Sequence, residues 1–290
     1  LDNKIKYLPE NALKQNLKFL MENGRTIKFL DRTFNSNPKK AIEIFRFILK
    51  NRKPENIFQF EIKADIVQPD FVEFIKSNVP KDIFRFEIGI QTLNSKSNAE
   101  VKRNQNFENI RNFINQIADK IEIHLDLIVG LPYDYWSDLK STFEEVFKIF
   151  APELQLGFLK FLKGTPIRIN HEKYGYKFDK NPPYQIIESR YLSSDEIRKF
   201  EIIENVLEIY WNKKRAVNIL KYIALKYSIF DFFMFFGEFF NMKSCHKKLN
   251  LSDFYDLIFE FSSNIFNDTI VNELIAVDYF LQHKIKPEIK

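Results

Sequence analysis

The residues equipped to do chemistry recur two positions apart. In IFQFEIKAD (residues 57–65), Gln59, Glu61, Lys63 and Asp65 fall on one face of an extended chain. Phe58, Phe60, Ile62 and Ala64 fall on the other. In IFRFEIGIQ (83–91) the polar face carries Arg85, Glu87 and Gln91 with Gly89 between them, and in IEIHLDLIVG (121–130) it carries Glu122, His124 and Asp126. Three consecutive charged faces do not suit a dry interior, where an unpaired ion costs several kcal/mol. They suit a wet cavity that holds a polar ligand.

The elements that must position these rows follow from the pattern. Strands are predicted at 26–31, 57–65, 83–91, 121–129 and 154–161, and helices at 10–23, 39–50, 70–77, 108–118 and 137–150. Gly24 sits where a helix ends, and Pro38, Pro69 and Pro152 mark boundaries. Strands alternating with helices imply a parallel sheet, which is normally buried on both faces. An open sheet with one solvated face is the plain alternative. A curled sheet resolves the conflict, with apolar residues outward under helices and polar residues inward. The expected fold is therefore α/β, a partial TIM-like (β/α) barrel with a polar lumen. Its site belongs at the C-terminal strand ends. There lie Asp31-Arg32, Asp65, Gln91, Gly130-Leu131-Pro132 and the stretch from Lys160 to Gly164.

Composition narrows the class. With 44 Lys+Arg against 39 Asp+Glu, the 290 residues carry 44 − 39 = +5, and the interleaved signs argue against nucleic acid. Hydrophobic residues at 45% and charged ones at 29% are globular values, so wholesale disorder is excluded. A single cysteine excludes a disulfide framework and any multi-cysteine metal site within these residues. No apolar run reaches the ~18 residues of a membrane span, and no signal peptide opens the chain, so a cytoplasmic location is expected. The chain starts at Leu1 and its first element is a helix, so we expect a fragment whose first strand is missing.

Two stretches resemble a known family. FEIGIQTLNSKSNAEVKRNQN follows Gly-x-Gln, a short loop, then a basic residue at Arg103, and IHLDLIVGLP follows Asp-hydrophobic-hydrophobic-x-Gly-Leu-Pro. Residues 1–170 are similar to the radical S-adenosylmethionine (SAM) superfamily, in its cobalamin-binding and oxygen-independent coproporphyrinogen oxidase-like subgroups. The resemblance implies an anaerobic iron–sulfur enzyme that cleaves SAM reductively to a 5′-deoxyadenosyl radical, with cobalamin as a further cofactor in some members. A flavodoxin or ferredoxin would be its electron donor. By the same resemblance, Glu61 and Gln91 meet the ribose, Arg103 the methionine carboxylate, Asp126 another polar group, and the backbone at Val129, Gly130 and Leu131 the adenine. Glu87 joins them on the polar face. Asp31 stands where the family's acceptor for the SAM amino group belongs. Two departures are plain. The Cys-x3-Cys-x2-Cys motif that binds the 4Fe–4S cluster is absent, Cys245 being alone. FLDRTFN replaces the usual Gly-Gly-Glu. Neither a catalytic residue nor a metal ligand is assigned, and this chain by itself is expected to be inactive.

The remainder says less. Residues 1–175 are taken as the barrel, 176–193 as an extended linker with Pro182-Pro183, and 194–290 as a helical domain. Residues 230–240 are very aromatic and read as a buried helix, and two more helices are expected within 251–282. His171, His246 and His283 read as solvent-facing, with Cys245 and His246 in an exposed basic loop. A second function class is a non-catalytic barrel that binds a polar or phosphorylated ligand through Lys160, Lys163 and Gly164. An RNA-modifying role is disfavoured by the helical tail.

Overall fold

A computed structural model describes residues 6–245, 248–266 and 268–283. In chain order it contains α1 (Glu10–Asn23), β1 (Thr26–Lys28), α2 (Pro38–Asn51), β2 (Ile57–Glu61), α3 (Pro69–Asn78), β3 (Phe84–Gln91), α4 (Ser95–Glu100), α5 (Phe107–Ile117) and β4 (Glu122–Val129). There follow α6 (Trp136–Phe147), β5 (Glu153–Phe158), α7 (Pro166–Ile169), β6 (Lys177–Phe178), β7 (Ile186–Glu188) and five helices. These are α8 (Ser194–Leu207), α9 (Val217–Lys226), α10 (Ile229–Ser244), α11 (Leu251–Ile265) and α12 (Thr269–His283). The first five strands form one sheet in the order β1-β2-β3-β4-β5, with β1, β2 and β3 pairing in parallel. This is the expected partial-barrel α/β fold followed by a helical region. The chain divides into two compact units. One comprises Leu1–Ile90 and Arg103–Asp126, the other Gln91–Lys102 and Leu127–Lys290.

In the first unit the period-two pattern becomes strict alternation of burial. Along β3, Phe84, Phe86, Ile88 and Ile90 are buried, whereas Arg85, Glu87, Gly89 and Gln91 are partly open. The apolar face lies under helices. Phe45 of α2 is fully buried, with its ring 4.9 Å from Phe60, 4.7 Å from Phe84 and 6.1 Å from Phe86. Two strands stop earlier than their alternation predicts. β1 ends at Lys28, and β2 ends at Glu61 because Asn35 captures the chain beyond it. The Asn35 amide donates to the Lys63 carbonyl and its oxygen accepts from the Lys63 N–H, both at 2.9 Å. A 3-10 turn at Ala64–Ile66 follows, so Lys63 and Asp65 leave the strand face.

In the second unit, residues 176–193 form a packed hairpin of β6 and β7, with Tyr176 and Ile186 buried. A capping box between Ser193 and Glu196 starts α8. The aromatic stretch is the buried helix expected, with Phe230, Phe232, Phe233, Phe236 and Phe240 inside. It meets α8 at Gly237, where a Cβ would stand 2.5 Å from Ile202 Cγ2 and 3.2 Å from the Ile202 carbonyl oxygen. Gly237→Ala is therefore expected to destabilise the protein by ~1–3 kcal/mol despite alanine's better helix propensity. An unchanged or raised melting temperature would contradict this close packing. The histidines differ from expectation. His171 is half-buried against the Phe178 ring at 5.4 Å, and His283 stacks 3.9 Å from Tyr279. Cys245 is exposed, whereas His246 lies outside the described residues.

Candidate functional site

The polar face of the first unit is built by strand register. Gln59 of β2 lies opposite Arg85 of β3, and Glu61 lies opposite Glu87. Two carboxylates side by side disfavour joint ionisation, and their surroundings separate them. Burial alone would raise Glu87. Lys28 Nζ donates to its Oε2 at 3.0 Å and Gln59 Nε2 to the same oxygen at 2.9 Å, and the Lys28 and His124 charges assist. The outcome is a carboxyl held below the usual carboxylate range. Partial burial pushes Glu61 up, and the Glu87 and Asp126 charges add to it against the weaker pull of Arg32 and Lys28. One acid is thus a fixed anion and its neighbour takes a proton more readily, the separation that lets adjacent acids play different roles.

The other side chains sit at successive levels. At the start of the strands, Arg85 Nη2 donates to Glu122 Oε1 at 2.9 Å. Further along, His124 Nε2 and Asp126 Oδ1 are 2.9 Å apart, with His124 buried. Past the end of β3 comes Arg103, in the loop between α4 and α5. Lys102, at φ 55°, ends the turn that follows α4 and delays α5 until Phe107. The Arg103 guanidinium donates to the Gly89 carbonyl, and its Nε to Gln105 Oε1 at 2.9 Å. Gln105 Nε2 in turn donates to the Ile90 carbonyl at 2.8 Å. Burial lowers the Arg103 pKa, while the Asp65 and Glu61 charges oppose the shift. Arg103 therefore sits half-buried in the field of Glu61.

This arrangement has a pH signature. Carboxyl-detected NMR titration is expected to place Glu61 above and Glu87 below the ordinary glutamate value, with Lys28→Met moving Glu87 upward. For stability the signs are opposite. The Glu87 contribution is present above its unfolded pKa and fades as pH falls through the lowered folded value. The Glu61 contribution is present at low pH and fades as pH rises through its raised value. Titration of both acids together would contradict the assignment.

Thus Glu61, Glu87, Asp126 and Arg103 come together in the first unit. Asp31 does not join them. It is exposed, lining a groove of about 890 Å³ between α1 and α2 with Arg32, Phe29 and Phe34. Gln91, Val129, Gly130 and Leu131 belong to the second unit. Gln91 holds φ 65°, unusual for a residue with a side chain. Val129 and Leu131 are buried. Gly130 has φ 98°, its carbonyl accepts from the Tyr176 hydroxyl at 2.8 Å, and a Cβ there would meet Ile186 Cδ1 at 2.6 Å. The Lys160–Gly164 stretch makes no phosphate cradle. Lys160 bridges Gln185, Lys163 is exposed, and nothing lies within 4 Å of a Cβ placed on Gly164.

Sequence reasoning missed Lys28 and Asp134. The same alternation, counted from Thr26, would have placed Lys28 on the polar face. Asp134 lies in a turn, where no periodicity applies. It is fully buried, and burial pushes its carboxyl up to about 7, with the like charge of Asp138 adding and the side chains of Thr92 and Asn94 pulling down.

Parallel strands under helices, with charged residues along the opposite face and an arginine beyond the third strand, define an α/β protein of partial-barrel class. Residues 2–146 match the model of the radical SAM superfamily, and the chain belongs to that superfamily. Residues 172–289 match a family described as protein of unknown function (DUF4080). No curated protein matches the chain. Among solved structures it is similar to the radical S-adenosylmethionine methyltransferase TsrM from Kitasatospora setae, solved with cobalamin and a 4Fe–4S cluster bound. The TM-score is 0.50 at 11% identity, over 63% of this chain and 38% of that one. Coproporphyrinogen III oxidase from Escherichia coli, a radical SAM enzyme, aligns with a TM-score of 0.45 at 13% identity, over 74% of each chain. The chain thus spans well under half the length of the methyltransferase.

Proposed function

We propose that this chain binds SAM on the polar face of its first unit and serves radical SAM chemistry. The observation that carries the reading is a half-buried Arg103 beyond β3, in the electrostatic field of Asp65 and Glu61, within the matched family. A guanidinium offers the fork that a methionine carboxylate accepts. Glu61, less committed to ionisation than Glu87, suits the ribose hydroxyls. Lys28 and Gln59 fix Glu87, and His124 Nε2 lies 2.9 Å from Asp126, so Glu87 is positioned before a ligand arrives. SAM, if bound there and given one electron, would break its C5′–S bond, release methionine and supply a 5′-deoxyadenosyl radical for hydrogen abstraction. The protein contributes orientation and exclusion of water.

The residues present do not fit a 4Fe–4S cluster. Such a cluster takes several thiolates, and these 290 residues supply only Cys245, exposed at the end of α10. No step is assigned through it, and no residue is assigned to cobalamin. A small flavin or iron–sulfur protein such as flavodoxin or ferredoxin suits the need for an electron, and an anaerobic cytoplasm suits the chemistry. Among the described residues no helix is long and apolar enough to cross a membrane.

Thermal denaturation with added ligand tests the reading. SAM is expected to raise the melting temperature of this chain, and Glu61→Gln to shrink the rise. Equal melting temperatures with and without saturating SAM would overturn it.

A further inference from the structure

The second unit buries side-chain oxygens that make no well-aligned hydrogen bond among the described residues. Asp134 Oδ1 and Oδ2, Ser97 Oγ and Asn98 Oδ1 are inaccessible to solvent and have no hydrogen-bond partner. Asp134 and Ser97 are 0% exposed and Asn98 is 8% exposed. Native proteins leave few such groups, and each calls for an explanation. A short network orders the 92–98 segment and ties it to the turn that carries Asp134. The Asn98 amide donates to the Thr92 carbonyl at 3.0 Å, and the Asn94 oxygen accepts from the Ser97 N–H at 3.1 Å. The Asn94 amide donates to the Tyr133 carbonyl at 2.8 Å. The side chains of Thr92 and Asn94 also lie beside the Asp134 carboxyl, without the alignment of full hydrogen bonds.

The charge balance is one-sided. Among the described residues the charged neighbour that acts on Asp134 is Asp138, which has the same sign. A buried anion without a cation is expensive. We propose that the Asp134 carboxylate and neutral oxygens of the 92–98 segment bind an alkali cation, potassium or sodium, which ties the Gly130–Tyr135 turn to that segment. Three features select this class. All the candidate donors are oxygens, which suits hard cations. The candidate donors carry one formal negative charge, that of Asp134, which a monovalent ion neutralises. The neutral donors are hydroxyl and amide oxygens, which need no deprotonation. Tyr176, whose hydroxyl is bonded to the Gly130 carbonyl, lies near enough to feel the Asp134 charge, and a cation there would ease that repulsion.

The experiment is thermal denaturation of the full chain at pH 8 in potassium, sodium or choline chloride at equal ionic strength. Potassium or sodium is expected to raise the melting temperature above that in choline by about 3–10 °C, the span given by a cation present at ten to a hundred times its dissociation constant. The neutral isostere Asp134→Asn should lose the difference. Thallium(I), a potassium mimic, should give one bound thallium-205 NMR resonance in the wild-type protein, displaced by potassium. Equal melting in all three salts overturns the proposal whatever the variant does, as does a salt response retained by Asp134→Asn. Stabilisation on lowering the pH from 8 to 6 with no cation response would show that Asp134 is a neutral acid. A site refined at high resolution with water-like distances and no thallium signal would show an ordered water. Either result overturns it.

Discussion

Arg103→Ala is expected to raise the SAM dissociation constant about ten- to a hundredfold, the loss of a charge-assisted hydrogen bond worth roughly 1.5–3 kcal/mol. The carboxylate it would meet is present in SAM before and after any bond breaks, so the loss is one of binding. Arg103 also donates to the Gly89 carbonyl, so the substitution removes a contact that shapes the end of β3. Arg103→Lys separates the two roles. It retains a cation but not the fork, and it should recover only part of the affinity. Glu61→Gln should cost less, since it perturbs bonds to neutral hydroxyls. Lys248→Ala, exposed in the second unit, should leave binding unchanged. Calorimetric titration checks all four. An Arg103→Ala protein with wild-type affinity would mean that this residue is not the carboxylate partner.

The largest stability effect is expected in the helical region. Asp278 of α12 is 3% exposed and serves α9. Its carboxylate accepts from the Asn218 N–H at 3.0 Å, the Ile219 N–H at 3.1 Å and the Asn218 side-chain amide at 2.8 Å. Ala216, which precedes α9, has no side chain able to cap it, so an acid from another helix satisfies the first turn. Asp278→Ala would leave a buried and a part-buried N–H unpaired, at a cost of about 2–4 kcal/mol. For a chain of this size, that lowers the melting temperature by roughly 5–12 °C. Asp278→Asn keeps an acceptor and should lose less. Denaturation followed by circular dichroism checks the order, and an Asp278→Ala protein as stable as wild type would contradict it.

What could be read from the residues followed their physical reach. Strand alternation is local and strongly patterned, so the buried Phe58, Phe60, Phe84 and Phe86 and the polar Glu61, Glu87 and Asp126 were legible. Strand ends were less so. β2 is cut short by Asn35, a residue 28 positions upstream of the Lys63 that it captures, and no local pattern reports such a contact. The supposed linker failed for a similar reason, because its burial depends on contacts such as Tyr176 with the Gly130 carbonyl. Asp31 was placed by analogy with a family motif that this chain lacks, and it faces the groove beside α1 and α2. The spacing from Gln91 places Arg103 beyond β3, but the loop that holds it is set by the turn at Lys102 and is not visible in a local pattern.

The central claim is that Arg103 reads the amino-acid end of SAM and Glu61 its sugar. Calorimetry with two ligands, SAM and 5′-methylthioadenosine, tests this most directly, because the second lacks the methionine carboxylate but keeps the ribose. The wild-type protein should bind SAM more tightly, Arg103→Ala should bind the two nearly alike, and Glu61→Gln should weaken both. If Arg103→Ala discriminates between the ligands as well as wild type does, or if neither ligand binds the wild-type chain, the account is wrong.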